Sequence, residues 1–209
     1  MWIANFGLLR FWNYICKWYI ILIYPSLYGI IPNIVDLDIF KLKSKVKSKN
    51  FNFVSTGNLI DTKRMDLTIK AFYKAFKGNT KITLTIFGQG PNHKSLEELI
   101  NQYKLSDQVK LMGLCSRKKI AEQLSKSNCF VLVSQSETFG VAYIEALAMG
   151  VPVIATKCGG PEGFVNKDNG IMIDVDNEEQ LIEAMHYMYK NIEKYDDYLH
   201  RFQNLYAYC

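Results

Sequence analysis

The residues from Ser134 to Thr156 constrain the fold most, because strand, turn and helix signals follow one another there without a gap. Before them, Cys129–Val133 (CFVLV) is a short apolar run typical of buried parallel strands. Ser134–Glu137 is polar and has helix-capping chemistry. An apolar helix then runs from Gly140 to Gly150, and Pro152 begins the next strand. The pattern predicts a β–α–β unit.

One carboxylate, Glu145, interrupts this apolar helix, and a second, Glu137, precedes it on the loop. A buried charge is costly unless another group pairs with it. Two interpretations follow. Glu145 is either a structural residue that bonds to a neighbouring loop, or both carboxylates accept hydrogen bonds from the hydroxyls of a sugar-bearing ligand. The helix N-terminus between them would offer N–H groups to an anion.

The rest of the chain alternates strand and helix patterns. Further strands are predicted at Phe51–Thr56, Lys81–Phe87, Val109–Met112 and Ile171–Val175. Further helices are predicted at Met65–Phe76 and at the apolar stripes that contain Leu96, Ile120 and Leu181. This alternation predicts an α/β fold with a doubly wound, Rossmann-like parallel sheet.

Ligands of such sheets bind at the carboxyl ends of the strands. Five loops with unusual composition fall at that edge, which we call the rim: Gly57–Lys63, Gly88–Pro91, Gly113–Arg117, Ser134–Gly140 and Gly159–Glu162. Gly88 and Gly90 begin a dinucleotide-type glycine motif, but His93 occupies the third glycine position and the motif follows the second strand instead of the first, so the sequence argues against a nicotinamide enzyme.

The spacing from Glu137 to Glu145, the run Ala146–Thr156 (ALAMGVPVIAT) and Gly159–Glu162 (GGPE) together resemble the donor-binding half of GT-B glycosyltransferases. The most similar group is the retaining family four, whose members use nucleotide-activated sugars. The resemblance covers Gly29 to Asn191. It therefore implies a single C-terminal half-domain of the GT-B fold.

This resemblance implies a role for particular residues. Donor binding falls to Gly57, Asn58, Lys63, Gly88, Gly90, Glu137, Phe139, Gly140, Val141 and Glu145. Lys63, on the diphosphate, and Glu137, on the transferred sugar, are the expected catalytic residues, and Glu145 is expected to bind the ribose. Asn58 stands where the family has arginine, so it lacks that residue's charge and bidentate fork. Ile34 likewise replaces a glycine.

The resemblance further implies retention of configuration, a UDP-type or GDP-type donor as substrate, and neither a metal nor a cofactor. Composition agrees with several of these expectations. The net charge of +5 and the absence of a recognition motif argue against nucleic acid. The three histidines lie far apart, and the five cysteines form no CxxC motif. We therefore expect no protein-held metal and a reducing, cytoplasmic location.

Both ends of the chain differ from its middle. Residues 1–31 are rich in aromatic side chains and are interpreted as an interfacial membrane segment, as elements that pack against something absent, or as a remnant of the acceptor domain. Residues 32–191 form the predicted nucleotide-sugar domain, and residues 192–209 form a tail helix. Lysines alternate along 41–49, either as a solvated linker or as a site of peripheral association with the inner face of the membrane.

Two functions are consistent with this sequence. The first is the donor-binding half of a glycosyltransferase, which passes a hexosyl group to a saccharide or glycolipid acceptor. The alternative is a non-catalytic nucleotide-sugar-binding fragment or subunit that needs an acceptor domain on a partner chain. Residues 1–31 are too few to form that domain.

Overall fold

The computed structural model describes residues 35–36, 38–40 and 50–195 of the 209-residue chain. In that part of the chain, six strands form one sheet: β1 Phe51–Thr56, β2 Ile82–Phe87, β3 Val109–Leu111, β4 Cys129–Leu132, β5 Val153–Thr156 and β6 Gly170–Ile173. Their order is β3-β2-β1-β4-β5-β6, and all neighbours are parallel. The predicted doubly wound, Rossmann-like sheet is confirmed.

The α-helices that flank these strands are α1 Met65–Phe76, α2 His93–Gln102, α3 Arg117–Leu124, α4 Val141–Ala148 and α5 Glu178–Asn191. Short 3-10 helices lie at Asp61–Lys63, Pro161–Gly163 and Ile192–Tyr195. Apolar side chains of β1, β2, β4 and β5 are almost entirely buried between the helices. Each helix follows the apolar stripe that the sequence predicts, because burying that stripe against the sheet is what stabilises it.

The strand order reverses between β1 and β4. The chain moves from β1 to β2 and β3 on one side, then crosses to β4 and continues to β5 and β6 on the other. The register Phe53↔Cys129 and Val54↔Phe130 fixes the two central strands side by side. At such a switch point the following loops diverge and leave a crevice at the carboxyl ends of the strands. The loops after β1 and β4 therefore define where a ligand would bind.

Helix α4 begins differently from its predicted cap. Gly140 is the N-cap, with φ of 84°, and no side chain caps the helix. The capping role expected of Ser134–Glu137 is thus wrong, because Gly140 adopts a left-handed conformation that separates this loop from the first turn. The predicted C-terminal end is confirmed, since Gly150 has φ of 70° directly after the C-cap Met149.

Some predicted bounds differ slightly from the structure. β3 ends at Leu111, one residue early, and β6 spans Gly170–Ile173 instead of ending at Val175. Short edge strands end where the pairing with one neighbour ends, a point that composition does not mark. The predictions for residues 1–31, Ile34, the lysines of 41–49 and residues 196–209 lie outside the described residues. Within the described part of the chain, no helix has the length and hydropathy needed to cross a bilayer.

Candidate functional site

The loops after β1 and β4 are bonded to each other at the switch point. The backbone N–H of Gln135 donates to the carbonyl of Thr62 at 2.8 Å. Beside this contact, Lys63 Nζ lies 2.6 Å from Glu137 Oε1, although the two residues are 74 positions apart in the chain. Their side chains are 19% and 11% exposed. The structure thus brings together the two residues that the sequence analysis expects to be catalytic.

The carboxylate of Glu137 is held from one side. Ser134 Oγ donates to Oε1 of Glu137 at 2.8 Å, and Lys63 donates to the same oxygen. Among the described residues, the second oxygen, Oε2, has no hydrogen-bond partner. Because Ser134 is fully buried, its hydroxyl fixes the orientation of the carboxylate. Both of these bonds reach Oε1, and the predicted contact of Glu137 with a transferred sugar stays a prediction.

The loop after β5 supports Glu137 from the other side. The N–H of Glu137 donates to Cys158 O at 3.1 Å, and the N–H of Gly160 donates to Glu137 O at 2.9 Å. A Cβ on Gly160 would lie 2.6 Å from the carbonyl carbon and oxygen of Phe139. Only glycine permits this approach of the two backbones. Three loops, after β1, β4 and β5, therefore fix the Glu137 backbone and carboxylate.

A buried polar layer lies beneath this loop. Tyr143 Oη donates to Leu132 O at 2.8 Å, and Thr156 Oγ1 donates to Ser134 O at 2.6 Å. Burial, with a smaller contribution from the negative charge of Glu137, raises the pKa of the Tyr143 phenol. The phenol is therefore a neutral hydrogen-bond donor at any physiological pH. These bonds tie the carboxyl ends of β4 and β5 to helix α4.

Helix α4 begins at this layer. No side chain caps its first turn, in which the N–H of Tyr143 donates to Gly140 O at 3.0 Å, and the N–H groups that precede Tyr143 are too early in the helix for an i−4 acceptor. The positive end of its dipole therefore lies on the rim, next to Lys63 and Glu137. The ring centroids of Phe139 and Phe164 lie 6.0 Å apart, so the two rings pack against each other beside the helix. The predicted contacts of Phe139, Gly140 and Val141 with a donor phosphate stay a prediction.

Glu145 lies one helix turn further along α4, and it has a partner that the sequence did not reveal. Arg117 Nη2, on the first residue of α3, lies 2.6 Å from Glu145 Oε1. Glu145 is 9% exposed. Burial raises the pKa of Glu145, and the guanidinium of Arg117 opposes that rise. The sequence placed Arg117 on the rim without a role, although a lone carboxylate in an apolar helix already implies a nearby cation.

The structure explains why glycine occupies positions 88 and 90, in the rim loop after β2. A Cβ on Gly88 would meet Gly57 O at 1.8 Å, and one on Gly90 would meet Leu59 O at 2.4 Å. The N–H of Leu59 also donates to Gln89 O at 2.9 Å. The glycines therefore let two rim loops approach each other. Their predicted approach to a nucleotide remains a prediction.

Arg64, the arginine that follows Asn58 in the chain, already pairs with other side chains. Asn58 itself is exposed. The nearby Arg64 is paired with Asp66 and Asp176, and Gln135 Nε2 also donates to Asp176 at 2.8 Å. Arg64 therefore does not replace the guanidinium that the resemblance expects at position 58. Lys63, which pairs with Glu137, is a cation that the described residues place at the switch point.

The described residues contain no group of three or more histidine, cysteine, aspartate or glutamate side chains placed to hold a metal ion. The expectation that this protein uses no metal or cofactor stays a prediction. The chemical capacity of the site lies in Lys63, in two carboxylates that each pair with a cation through Oε1, and in a helix N-terminus. Such a set suits a ligand that carries both hydroxyls and phosphates.

Comparison with protein families decides between the candidate classes. The family model described as "Glycosyl transferases group 1" matches residues 38–202. The chain belongs to this family. Its resemblance to the donor-binding half of GT-B glycosyltransferases is thereby confirmed. The narrower assignment to family four, retention of configuration and independence from metal remain predictions.

Proteins similar to this group 1 glycosyltransferase include one subunit of the human phosphatidylinositol N-acetylglucosaminyltransferase, which is 28% identical over 162 residues. That match covers 77% of this chain and 33% of the human protein. The chain thus spans about a third of the length of the curated relatives that it matches first.

Two solved structures show the same fold. The C-terminal domain of a glycosyl transferase group 1 family protein from Francisella tularensis is 21% identical, with a TM-score of 0.71, and the match covers 83% of this chain and 96% of that one. The pneumococcal O-GlcNAc transferase GtfA, solved with UDP and GlcNAc, is 24% identical, with a TM-score of 0.69. That match covers 79% of this chain and 34% of the transferase.

Proposed function

We propose that this chain provides the nucleotide-sugar donor site of a glycosyltransferase that passes a hexosyl group to a saccharide or glycolipid acceptor. The observation that carries the proposal is the Lys63–Glu137 pair, which lies at the strand switch point beside the open N-terminus of α4. A UDP-type donor is favoured, because the pneumococcal relative was solved with UDP. GDP is the second candidate.

The site's charges match the chemistry of donor cleavage. When the bond between the sugar and the diphosphate breaks, negative charge develops on the departing phosphate. Fixed positive groups that are already oriented stabilise that charge best. Lys63 and the first turn of α4 supply such groups, while Glu137 Oε2 accepts a hydrogen bond from a sugar hydroxyl. Glu145 Oε2 accepts hydrogen bonds from the ribose.

The acceptor and its location belong to the same proposal. The name of the human relative describes one part of a multi-chain transferase that acts on phosphatidylinositol. This name supports a lipid acceptor and a partner chain. The proposal adds that the partner supplies the acceptor domain and that the chain lies on the cytoplasmic side, at the inner face of a membrane. Sedimentation with vesicles of phosphatidylcholine alone, or with added phosphatidylinositol, checks the membrane part. Equal recovery in the supernatant with both vesicles would contradict it.

A non-catalytic binding subunit is the second candidate, and Asn58 favours it. Where the family has an arginine, this chain has an exposed amide, and the neighbouring Arg64 is paired elsewhere. A charge-assisted hydrogen bond contributes roughly 1.5–3 kcal/mol, so its absence weakens the hold on the diphosphate by about ten-fold or more. Donor binding without transfer, even with an added acceptor domain, would support this candidate.

Isothermal titration calorimetry with UDP, GDP and UDP-GlcNAc tests the donor site. We expect the folded wild-type chain to bind a nucleotide, and Lys63→Ala and Glu145→Ala each to weaken that binding. Lys70→Ala is the matched control, because Lys70 also forms an ion pair but lies on the outer surface of α1 with Asp66. No binding at about 1 mM nucleotide, which corresponds to a binding free energy weaker than about −4 kcal/mol, would overturn the proposal.

A further inference from the structure

Glu145 depends on a side chain from another helix. It is the charged residue of α4, whose other side chains are apolar or tyrosine. Arg117 Nη2 bonds one oxygen of the carboxylate at 2.6 Å. Within the described ranges the other oxygen, Oε2, has no hydrogen-bond partner. A guanidinium on one oxygen both balances the charge and fixes the direction in which the other oxygen points.

Arg117 is itself held in place. Its Cζ lies 5.2 Å from the centroid of the Phe40 ring, and Phe40 is only 1% exposed. The N–H of Phe40 donates to Asp36 O at 2.9 Å, so a turn positions the ring. An arginine over an aromatic face is attracted to it and loses freedom of movement. About half of the Arg117 side chain, 49%, is exposed, so the ion pair lies at the rim and not in the core.

We propose that Arg117 is a positioning residue for Glu145: it orients the carboxylate so that Oε2 accepts hydrogen bonds from the ribose hydroxyls of a bound nucleotide, and Phe40 holds Arg117 for that task. This inference rests on the proposed donor site and assigns two residues to it that lie outside the expected set. It also links the turn that ends at Phe40 to nucleotide affinity through three side chains.

The electrostatics of the pair give a readout that packing alone does not. Burial raises the pKa of Glu145, and Arg117 is the charged group that counters this in the described part of the chain. Without Arg117, that pKa rises further, and the carboxyl group takes up its proton at a higher pH. A protonated acid accepts hydrogen bonds less well than a carboxylate. As the pH is lowered, the variant therefore loses nucleotide affinity at a higher pH than the wild type does.

The test compares Arg117→Met, Arg117→Lys and Phe40→Leu with the wild type by titration calorimetry. The ligands are UDP and 2′,3′-dideoxy-UDP, or the matching guanosine pair if GDP binds, from about pH 5 to 8. Lys118→Met is the matched control, because it removes the next charge on the same helix turn, and Lys118 is exposed. It corrects for the general attraction between rim cations and a polyanion.

We expect Arg117→Met to weaken UDP binding by roughly ten-fold and to shift the acid fall in affinity to higher pH. Arg117→Lys restores part of both, Phe40→Leu has a smaller effect in the same direction, and Lys118→Met has little effect. With the dideoxy nucleotide the Arg117→Met penalty disappears, because the hydroxyls that Glu145 would bind are gone. An equal penalty with both nucleotides, or an equal loss in Lys118→Met, would overturn the proposal.

A ligand-free measurement separates this inference from the proposed function. Thermal unfolding between about pH 4 and 8 should show Arg117→Met less stable than the wild type at neutral pH, with the difference lost once Glu145 is protonated in both. If that difference is found but the wild type binds neither UDP nor GDP, the donor-site proposal fails while the ion pair stands. If UDP binds and the difference is absent at every pH, the positioning role alone fails.

Discussion

The two carboxylates at the rim, Glu137 and Glu145, are eight positions apart and are supported in opposite ways. Glu137 lies on a loop that neighbouring loops fix through backbone bonds, and its side chain is bonded by Lys63 and Ser134. Glu145 lies inside a helix with a rigid backbone, but its charge depends on Arg117. The loop that carries Glu137 is therefore held by its neighbouring loops. Helix α4 needs no such support for its backbone, but the charge of Glu145 is balanced by the single side chain of Arg117.

Removing the cation beside Glu137 should have the largest effect. We expect Lys63→Met to weaken UDP binding by about ten-fold to one hundred-fold, because a charge-assisted hydrogen bond to phosphate contributes roughly 1.5–3 kcal/mol. Titration calorimetry measures this loss. Uridine, which has no phosphate, should bind equally to variant and wild type. An equal loss for uridine would mean that Lys63 shapes the site and does not contact phosphate.

Loosening the loops around Glu137 is the next largest effect. Gly160→Ala places a Cβ at 2.6 Å from the Phe139 backbone, so the two loops must separate. Overpacking of this kind typically costs about 1–3 kcal/mol in the free energy of unfolding. Chemical denaturation measures it. Gly163→Ala is the control, because a Cβ there meets nothing within 4 Å. Equal stability of the two variants would contradict the backbone contact described for Gly160.

Restoring the missing charge sharpens the account of the Glu137 side. Asn58→Arg should strengthen UDP binding by about ten-fold, since a guanidinium adds a charged, bidentate donor near the diphosphate. Asn58→Gln, which lengthens the side chain without a charge, should leave the affinity unchanged. Calorimetry with both variants decides. If the arginine variant binds no better than the glutamine variant, position 58 does not face the phosphates.

The smallest expected effect is on stability at Glu145. Because its pKa in the folded protein is raised, the folded state holds the proton more tightly than the unfolded chain does. Ionised Glu145 therefore reduces stability as the pH rises from 4.5 through that raised pKa. We expect Glu145→Gln to unfold at a slightly higher temperature than the wild type at pH 7–8, and at the same temperature near pH 4. A lower unfolding temperature at neutral pH would show that the ion pair is a net stabilising contact.

These differences also explain how far the sequence alone leads. The sheet, its direction and the bounds of α1 and α4 follow from local patterns, because buried parallel strands and apolar helix stripes leave a signature in consecutive residues. The closeness of Lys63 and Glu137 followed from topology, since both lie after strands that end at one rim. The Arg117–Glu145 pair did not follow, because an exposed arginine that begins a polar helix looks like any solvated charge.

The same limit applies to the loops. Gly140 ends the loop before α4 by its left-handed backbone, whereas composition favoured Ser134 and its neighbours as the cap. The Ser134 hydroxyl instead donates to the Glu137 carboxylate within the same loop. A loop with such a contact has the same composition as a helix-capping sequence. Composition alone does not separate these two uses of a serine. Gly160, in the loop after β5, lies against the backbone of Phe139, the residue before Gly140, and this long-range contact leaves no signal in the local composition.

Hydrogen exchange of the folded chain, with and without saturating UDP, tests the central claim most directly. We predict that UDP slows amide exchange in the loops after β1 and β4 and in the first turn of α4, where Lys63, Glu137 and the helix N-terminus converge. The connections at the opposite edge of the sheet, such as residues 77–81 and 103–108, should not change. Protection confined to that opposite edge, or no protection by UDP or GDP anywhere, would contradict the donor site described for this chain.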